Sequence, residues 1–469
     1  MGKFSTYRYL ELKDDTAAPT PHINARSRSI KQPRRLKKVF FLLLVLALFV
    51  TYFLGLFAGQ SQWLDGIAKS LGYESVHHYA VIIDAGSSGS RVLAYRFRVP
   101  FTVFGQANLD LVEEYFEQSK PGLSSFADNP EKGAETIVQL IKKAEFLIPA
   151  EKRKVTPLIV RATAGLRLLP KEKAQQLLVE VEKAISTLGY NVGNNSVEIM
   201  DGSDEGIFIW YTLNLLHNLM DGETMAALDL GGGSTQITYQ LADGDSDAFP
   251  RTDQYIVPAG NNNITLYTHS YLNLGLLAAR YGIFKLEKNA HGPVANATEF
   301  TSVCVDPIVQ KEKWTYANKQ YFISGASRQG LKRDAVYNRC HALVNRYVKN
   351  TLDWEPSQPP KGSVAAMSYF YDVAADIGMI DVMKGGTVSV AQYRAAALRA
   401  CSSSNVEQPW ACADLVYVVT LLQDAYKIRD NEPISLFKKV NGHEVSWALG
   451  LAYTTVMNRI AAAAAALAA

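Results

Sequence analysis

Twice in this sequence an apolar run ends in aspartate and opens into a turn of glycines and hydroxyls before a second strand-like run begins. The first copy is YAVIID at 79–84, AGSSGS at 85–90 and RVLAYRF at 91–97; the second is AALD at 226–229, then Leu230, GGG at 231–233 and STQITY at 234–239. Each reads as a strand, a tight turn and a returning strand. Asp84 and Asp229 lie 145 residues apart, a lobe's length, so the repeat is of one hairpin and not of a short-period solenoid. Between the copies the pattern alternates. Helical periodicity covers 131–150 and 171–188, an apolar strand covers 157–161, and a helix rich in apolar and aromatic residues covers 204–219. Strands alternating with helices predict an α/β class, and 469 residues exceed one ordinary core, so two lobes are expected.

The chemistry of such a turn follows from its residues. Glycines let backbone N–H groups approach an anion, and serine hydroxyls add donors with little bulk. An aspartate fixed at the end of a buried strand can hold a hydrated cation beside phosphates. A single Gly/Ser turn is common; two, each led by an acid, are suited to gripping a polyphosphate from both sides. Two further segments fit this site. In RATAGLR (161–167), Thr163 and the small residues permit close approach to phosphate and Arg167 can neutralise charge, although a helix start capped by Thr163 explains the segment equally well. In MDGSDEG (200–206), acids in a first helical turn are stabilised by the helix dipole, but Glu205, next to Gly206 in a turn, can also act as general base on water.

Charge is unevenly spread. Residues 26–38 hold seven basic side chains and no acid, residues 1–25 are balanced, and the chain beyond Lys38 is mildly acidic despite a net +3 for the whole. An acidic body excludes a nucleic-acid binder, which needs a basic face. The basic cluster abuts VFFLLLVLALFVTYFLGLFA (39–58), which carries no charge and is long enough as a helix to cross a bilayer. Positive flanks stay cytoplasmic, which predicts a cytosolic tail at 1–38, a signal anchor at 39–58, a stalk at 59–77 and a lumenal body. A cleaved signal peptide fits less well, because the run is long and lies well inside the chain. The C-terminal IAAAAAALAA (460–469) favours helix but is too short to span. Asn194, Asn263 and Asn296 begin glycosylation triplets beyond the span. Cys304, Cys340, Cys401 and Cys412 form an even set in a compartment that permits disulfides. Three connectivities are possible; pairing nearest neighbours closes the shortest loops, and zinc lacks a CxxC pair or clustered histidines.

Five segments in order, DAGSSGSR (84–91), ATAGLR (162–167), DGSDEGIFIWYTLN (201–214), LDLGGGSTQI (228–237) and WALG (447–450), resemble the apyrase regions of the nucleoside triphosphate diphosphohydrolase family. The single anchor and four cysteines resemble its intracellular or secreted diphosphatase branch. The resemblance implies a two-lobed actin/hexokinase-like ATPase fold of the ribonuclease H type behind the N-terminal transmembrane helix. Lobe I is then expected at 78–215 with 445–469 returning to it, and lobe II at 216–444. It also implies Glu205 as catalytic base, with Ser234 and Gln236 orienting the attacking water. Asp84 and Asp229 are implied as holders of Ca2+ or Mg2+ through its water shell. Ser87, Ser88, Gly89, Gly232 and Gly233 match the phosphate loops, Thr163 lies near cation and phosphates, and Trp447 matches the last region. Two positions depart from the cell-surface pattern: Gly89 where histidine is common, and Gly233 where alanine is frequent. Both leave backbone donors intact and bear on substrate preference.

Base recognition is expected from residues 368–372 (SYFYD), with Tyr371 as the stacking ring, although aromatics there can equally serve a core. The expected activity is in-line attack of water on the terminal phosphorus of nucleoside diphosphates, GDP and UDP favoured, and more weakly of triphosphates, in a Golgi-type lumenal compartment or a secreted form. Two other readings share the hairpins: a sugar or small-molecule kinase of the same fold, and a non-catalytic, nucleotide-gated lumenal binding protein.

Overall fold

The structure, a computed structural model, describes residues 34–57, 70–71, 76–100, 109–220, 222–242, 244–259, 262–290, 297–330, 333–356 and 358–468. The chain divides into two units, Met1–Ser70 and Leu71–Ala469. In the first, the apolar run folds as one helix, Arg34–Phe57, which begins among the basic residues because Arg and Lys propagate a helix as readily as Leu. The expected boundary at 38/39 thus falls inside the helix. Its side chains from Val39 to Phe53 are mostly exposed, and among the described residues no helix is long and apolar enough to cross a membrane. The tail before Arg34 and most of the stalk lie outside the described residues.

In the second unit both hairpins form. Strands β1 (His77–Ala85) and β2 (Ser90–Arg98) pair antiparallel with Asp84 opposite Arg91, and β3 (Asp110–Ser119) adds beyond β2. On the other side β4 (Leu158–Ala162) and β5 (Val197–Ile199) add in parallel, giving the order β3-β2-β1-β4-β5. Both faces of β1 are buried: Ala80 and Ile82 enter one core, Val81, Ile83 and Ala85 the other. A strand covered on both sides reads as a continuous apolar run, which is why the sequence shows no alternation there.

The second sheet repeats this plan. Strands β6 (Ala226–Leu230) and β7 (Ser234–Gln240) form the second hairpin, with Asp229 opposite Gln236, and β8 (Gln254–Ala259) and β9 (Asn262–Leu272) extend it. A small sheet of β10 (Glu299–Ser302), β11 (Glu312–Tyr316) and β12 (Lys319–Gly325) intervenes. Then β13 (Val364–Ser368) pairs parallel with β6, followed outward by β15 (Ile434–Leu436) and β14 (Gly386–Val388). The run β9-β7-β6-β13-β15 has the order and strand senses of β3-β2-β1-β4-β5. The molecule is α/β, built from two mixed sheets of one internal design.

Helix boundaries follow local chemistry. Asn129 accepts the Lys132 N–H and Pro130 opens the helix Pro130–Ala144, which buries Ala134, Ile137, Leu140, Ile141 and Ala144 on one face. It stops short of the expected 150 because the chain tightens into a 3-10 turn, Glu145–Leu147, ahead of Pro149. Lys171–Ile185 likewise ends in a 3-10 turn before Gly189, which adopts φ +76°. The helix Gly202–Leu216 starts earlier than expected because Asp201 caps it through the Ser203 N–H, so Glu205 stands in the first helical turn and not in a loop turn.

Between the two sheets lies one shared core. It joins Ile82 and Leu93 to Ala227, Leu266 and Ala365, and takes Ile209, Trp210 and Leu213 from Gly202–Leu216 and Trp447, Leu449 and Val456 from the final helix, Trp447–Ala468. Those two helices pack on each other so closely that a Cβ on Gly450 would lie 2.3 Å from the Phe208 carbonyl oxygen. Disulfides join Cys304 to Cys340 and Cys401 to Cys412, within the outer core of the second sheet. Asn194 and Asn263 are exposed; Asn296 lies outside the described residues.

Candidate active site

The internal repeat carries both hairpin turns to one cleft of about 350 Å³. Their meeting is direct: a Cβ on Gly232 would lie 2.7 Å from Ser87 Oγ, so any side chain there would push the serine hydroxyl aside. Asp84, Ser87, Ser88, Thr163, Glu205, Asp229, Gly232, Gly233, Ser234, Tyr371 and Trp447 line the cleft. Gly89 does not; its carbonyl accepts the Gly86 N–H at 3.1 Å and closes the first turn from behind.

Glu205 is held from two sides. Arg167 Nη2 donates to Glu205 Oε2 at 2.7 Å and reaches Ser234 Oγ at 3.2 Å. Gln236 Nε2 lies 3.1 Å from the same Glu205 oxygen, 2.9 Å from Ser234 Oγ and 3.0 Å from Ser270 Oγ. Glu205 Oε2 and Ser234 Oγ therefore act as acceptors within the network, which frees the serine proton for donation elsewhere. Gln236 Oε1 is buried without a hydrogen-bond partner among the described residues. Glu205 and Ser234 line the cleft, whereas Gln236 is not among its lining residues and stands behind the two, bonded to both.

At 7% exposure Glu205 is nearly dry, and burial pushes its pKa up to about 8, opposed by Arg167 and reinforced by the charges of Asp229 and Asp84. The two aspartates are buried as well. Burial raises Asp84 against the pull of Arg91, whose Nη1 lies 2.8 Å from Asp84 Oδ2. Burial also raises Asp229, opposed by a hydrogen bond with Ser368 and reinforced by Asp84. Asp84 Oδ1 and Asp229 Oδ1 are buried with no hydrogen-bond partner among the described residues. Two orphaned carboxylate oxygens in one cleft fit a hard divalent cation. Among the described residues no group of three or more His, Cys, Asp or Glu is arranged to hold a metal.

Thr163 begins the short helix Ala164–Arg167 but makes no capping bond, so its hydroxyl is available to the cleft. Tyr371 is 4% exposed and donates its hydroxyl to the Val382 carbonyl at 2.7 Å, fixed in the outer core of the second sheet as much as in the cleft wall. Tyr369, Phe437 and Phe116 are the more open rings around it. Sequence reasoning missed Ser270, because the position that reaches Gln236 is set by the β7–β9 register, Gln236 opposite Ser270, and not by any local pattern. It also missed the partnership of Arg91 with Asp84, which the turn length of the first hairpin encodes.

Arg167 is the positive group that favours ionised Glu205. In Arg167→Gln the acidic limb of kcat/KM is expected to move to higher pH, because the base loses its main charge partner while its burial stays. A pH profile from 5 to 10 on both proteins checks this; an unmoved limb would separate Arg167 from the base.

The GDA1/CD39 (nucleoside phosphatase) family model matches residues 71–465. The human protein named nucleoside diphosphate phosphatase ENTPD5 is 38% identical over 410 residues, covering 84% of this chain and 92% of that protein. The Caenorhabditis elegans nucleoside-diphosphatase uda-1 is 32% identical over 418 residues, covering 84% and 85%. Among solved structures, a nucleoside triphosphate hydrolase from Neospora caninum superposes with a TM-score of 0.58 at 16% identity, covering 84% of this chain and 95% of that one, a likeness of fold. On its matched length and its cleft together, the chain belongs to the GDA1/CD39 nucleoside phosphatase family.

Proposed function

We propose that this enzyme hydrolyses the terminal phosphate of nucleoside diphosphates, GDP and UDP before others and triphosphates more weakly, by in-line attack of water. The observation that carries the reading is the Glu205–Arg167–Gln236–Ser234 network, a set that a nucleotide binder has no use for and that a kinase would direct at an acceptor other than water. Its relatives' names as nucleoside diphosphatases support the substrate class.

Ser87, Ser88 and the glycine turns offer donors to the phosphoryl oxygens from both lobes. Glu205 takes the proton of the attacking water as it reaches phosphorus, and Ser234 and Gln236 hold that water in line. Asp84 and Asp229 would hold Ca2+ or Mg2+ through water, and the bound ion supplies Lewis-acid neutralisation of developing phosphate charge. The departing nucleotide leaves inorganic phosphate, and no covalent phosphoenzyme is needed. From its sequence, the uncharged apolar run 39–58 behind seven basic residues is proposed as a membrane anchor placing the catalytic unit in the lumen of the secretory pathway, Golgi included. The exposed Asn194 and Asn263 suit that side.

Phosphate release from a panel of nucleoside di- and triphosphates, with Mg2+, with Ca2+ and with chelator, tests the reading. Turnover of GDP and UDP at least about tenfold faster than of their triphosphates, abolished by chelator, is expected. Release from none of the diphosphates would overturn it.

A further inference from the structure

The two halves of the cleft are alike but not identical, and the difference lies at the aspartates. In the first hairpin the residue opposite Asp84 is Arg91, whose guanidinium holds the carboxylate. The residue opposite Asp229 in the second hairpin is Gln236, and its amide is committed to Glu205, Ser234 and Ser270. Asp229 therefore has no arginine bonded to it: Arg91 favours its charge from a distance but spends its hydrogen bond on Asp84.

Ser368 is the neighbour that remains. It ends β13, one residue past Met367, the partner of Asp229 in the parallel pairing of β13 with β6. Its backbone adopts φ +56°, ψ −124°, and of the non-glycine residues with positive φ among the described residues it alone lines the cleft. Such a conformation is strained for any residue with a Cβ and persists where the surroundings impose it. Ser368 also precedes the helix Tyr369–Asp376 as its N-cap yet makes no capping bond, whereas Ser389 in the same position elsewhere forms a full capping box. The hydroxyl is thus withheld from the helix at the cleft wall, where Ser368 favours the charged form of the Asp229 carboxylate against its burial. Across the repeat, Thr163 stands two residues past Arg161, the partner of Asp84, and likewise heads a helix without capping it. Each strand-end acid has beside it a hydroxyl that the following helix does not use.

We propose that Ser368 is a positioning residue for Asp229, its strained backbone aiming the hydroxyl at the carboxylate so that Asp229 presents a fixed face to the hydrated cation. This rests on reading the two aspartates as the cation's holders. The test is calorimetric titration of Mg2+ into the purified full chain saturated with an α,β-methylene nucleoside diphosphate, which is not turned over, together with thermal melts without Mg2+. Ser368→Gly and Ser368→Ala are both expected to weaken Mg2+ about tenfold, the scale seen when a partner of a metal-holding group is removed. Ser368→Gly, free of the strain, is expected to melt no lower than wild type. Asp229→Asn serves as reference and should weaken Mg2+ at least as much. If Ser368→Gly binds Mg2+ like wild type while Asp229→Asn does not, Ser368 has no such role. A Ser368→Gly melt falling together with its affinity would make the residue structural and also overturn the proposal. If Asp229→Asn itself binds normally, the cation reading falls and this inference with it.

Discussion

Replacing Glu205 by glutamine is expected to lower kcat by about 10²-fold or more while leaving nucleotide affinity close to wild type. Glutamine keeps the shape and can still accept from Arg167 and Gln236, so the network's geometry survives while its basicity does not. A second readout depends on the same carboxyl. With a pKa of about 8 in the folded protein and an ordinary glutamate value when unfolded, Glu205 keeps a proton in the fold that the unfolded chain has already released. The neutral form's advantage is complete below the unfolded pKa and is lost as pH rises through about 8. Glu205→Gln, which never ionises, should therefore match wild type in Tm near pH 5 and exceed it by about 2 °C or more at pH 9 in the absence of ligands. The acidic limb of kcat/KM should vanish in the variant. Wild-type turnover by Glu205→Gln would remove the residue from the role of base.

Asp84→Asn is expected to cost about 10²-fold in kcat/KM and to raise the half-saturating Mg2+ concentration at least about tenfold. The carboxylate is 6% exposed and Arg91 fixes one of its oxygens, leaving the other to face the cleft's charge. An amide offers a similar outline but no net charge, so the arginine stays in place with nothing to neutralise it, and a divalent cation meets one negative group fewer. Initial rates across a Mg2+ series check this directly. A variant with undiminished kcat/KM and an unchanged Mg2+ curve would exclude Asp84 from cation binding.

The hairpins were legible because a buried strand ending in Asp and then glycines has few other uses, and β1–β2 and β6–β7 form where that pattern places them. The short strand beside each, β4 and β13, was less equally visible: 157–161 reads as an apolar strand, while β13 is written in small residues, Val364-Ala365-Ala366-Met367, that suit many settings. Helix ends were the least legible. The run expected to 150 stops at Ala144, since the periodicity of apolar residues continues through a 3-10 turn that changes the pitch. Within the cleft, residues carried on the motifs, Glu205, Ser234 and Gln236, converge on one network, whereas Ser270 and Ser368 owe their places to strand register and backbone strain, which leave no local trace. Tyr371 shows the same limit from the other side: its aromatic context marks a ring near the cleft, but only the loop carrying Val382 decides which way its hydroxyl is spent.

The helix that bears Glu205 leans on the last helix of the chain. Thr212 Oγ1 donates to the Ser446 carbonyl and accepts the Gly450 N–H, each at 2.8 Å, and Tyr453 Oη accepts the Leu109 N–H at 3.3 Å. A polypeptide emerging from the ribosome therefore carries both glycine hairpins and Glu205 itself long before it can brace that carboxylate. Competence waits for the segment around Ser446 and Gly450, and a message cut short upstream of Trp447 would yield a protein that carries the hairpin loops yet lacks a firm seat for Glu205.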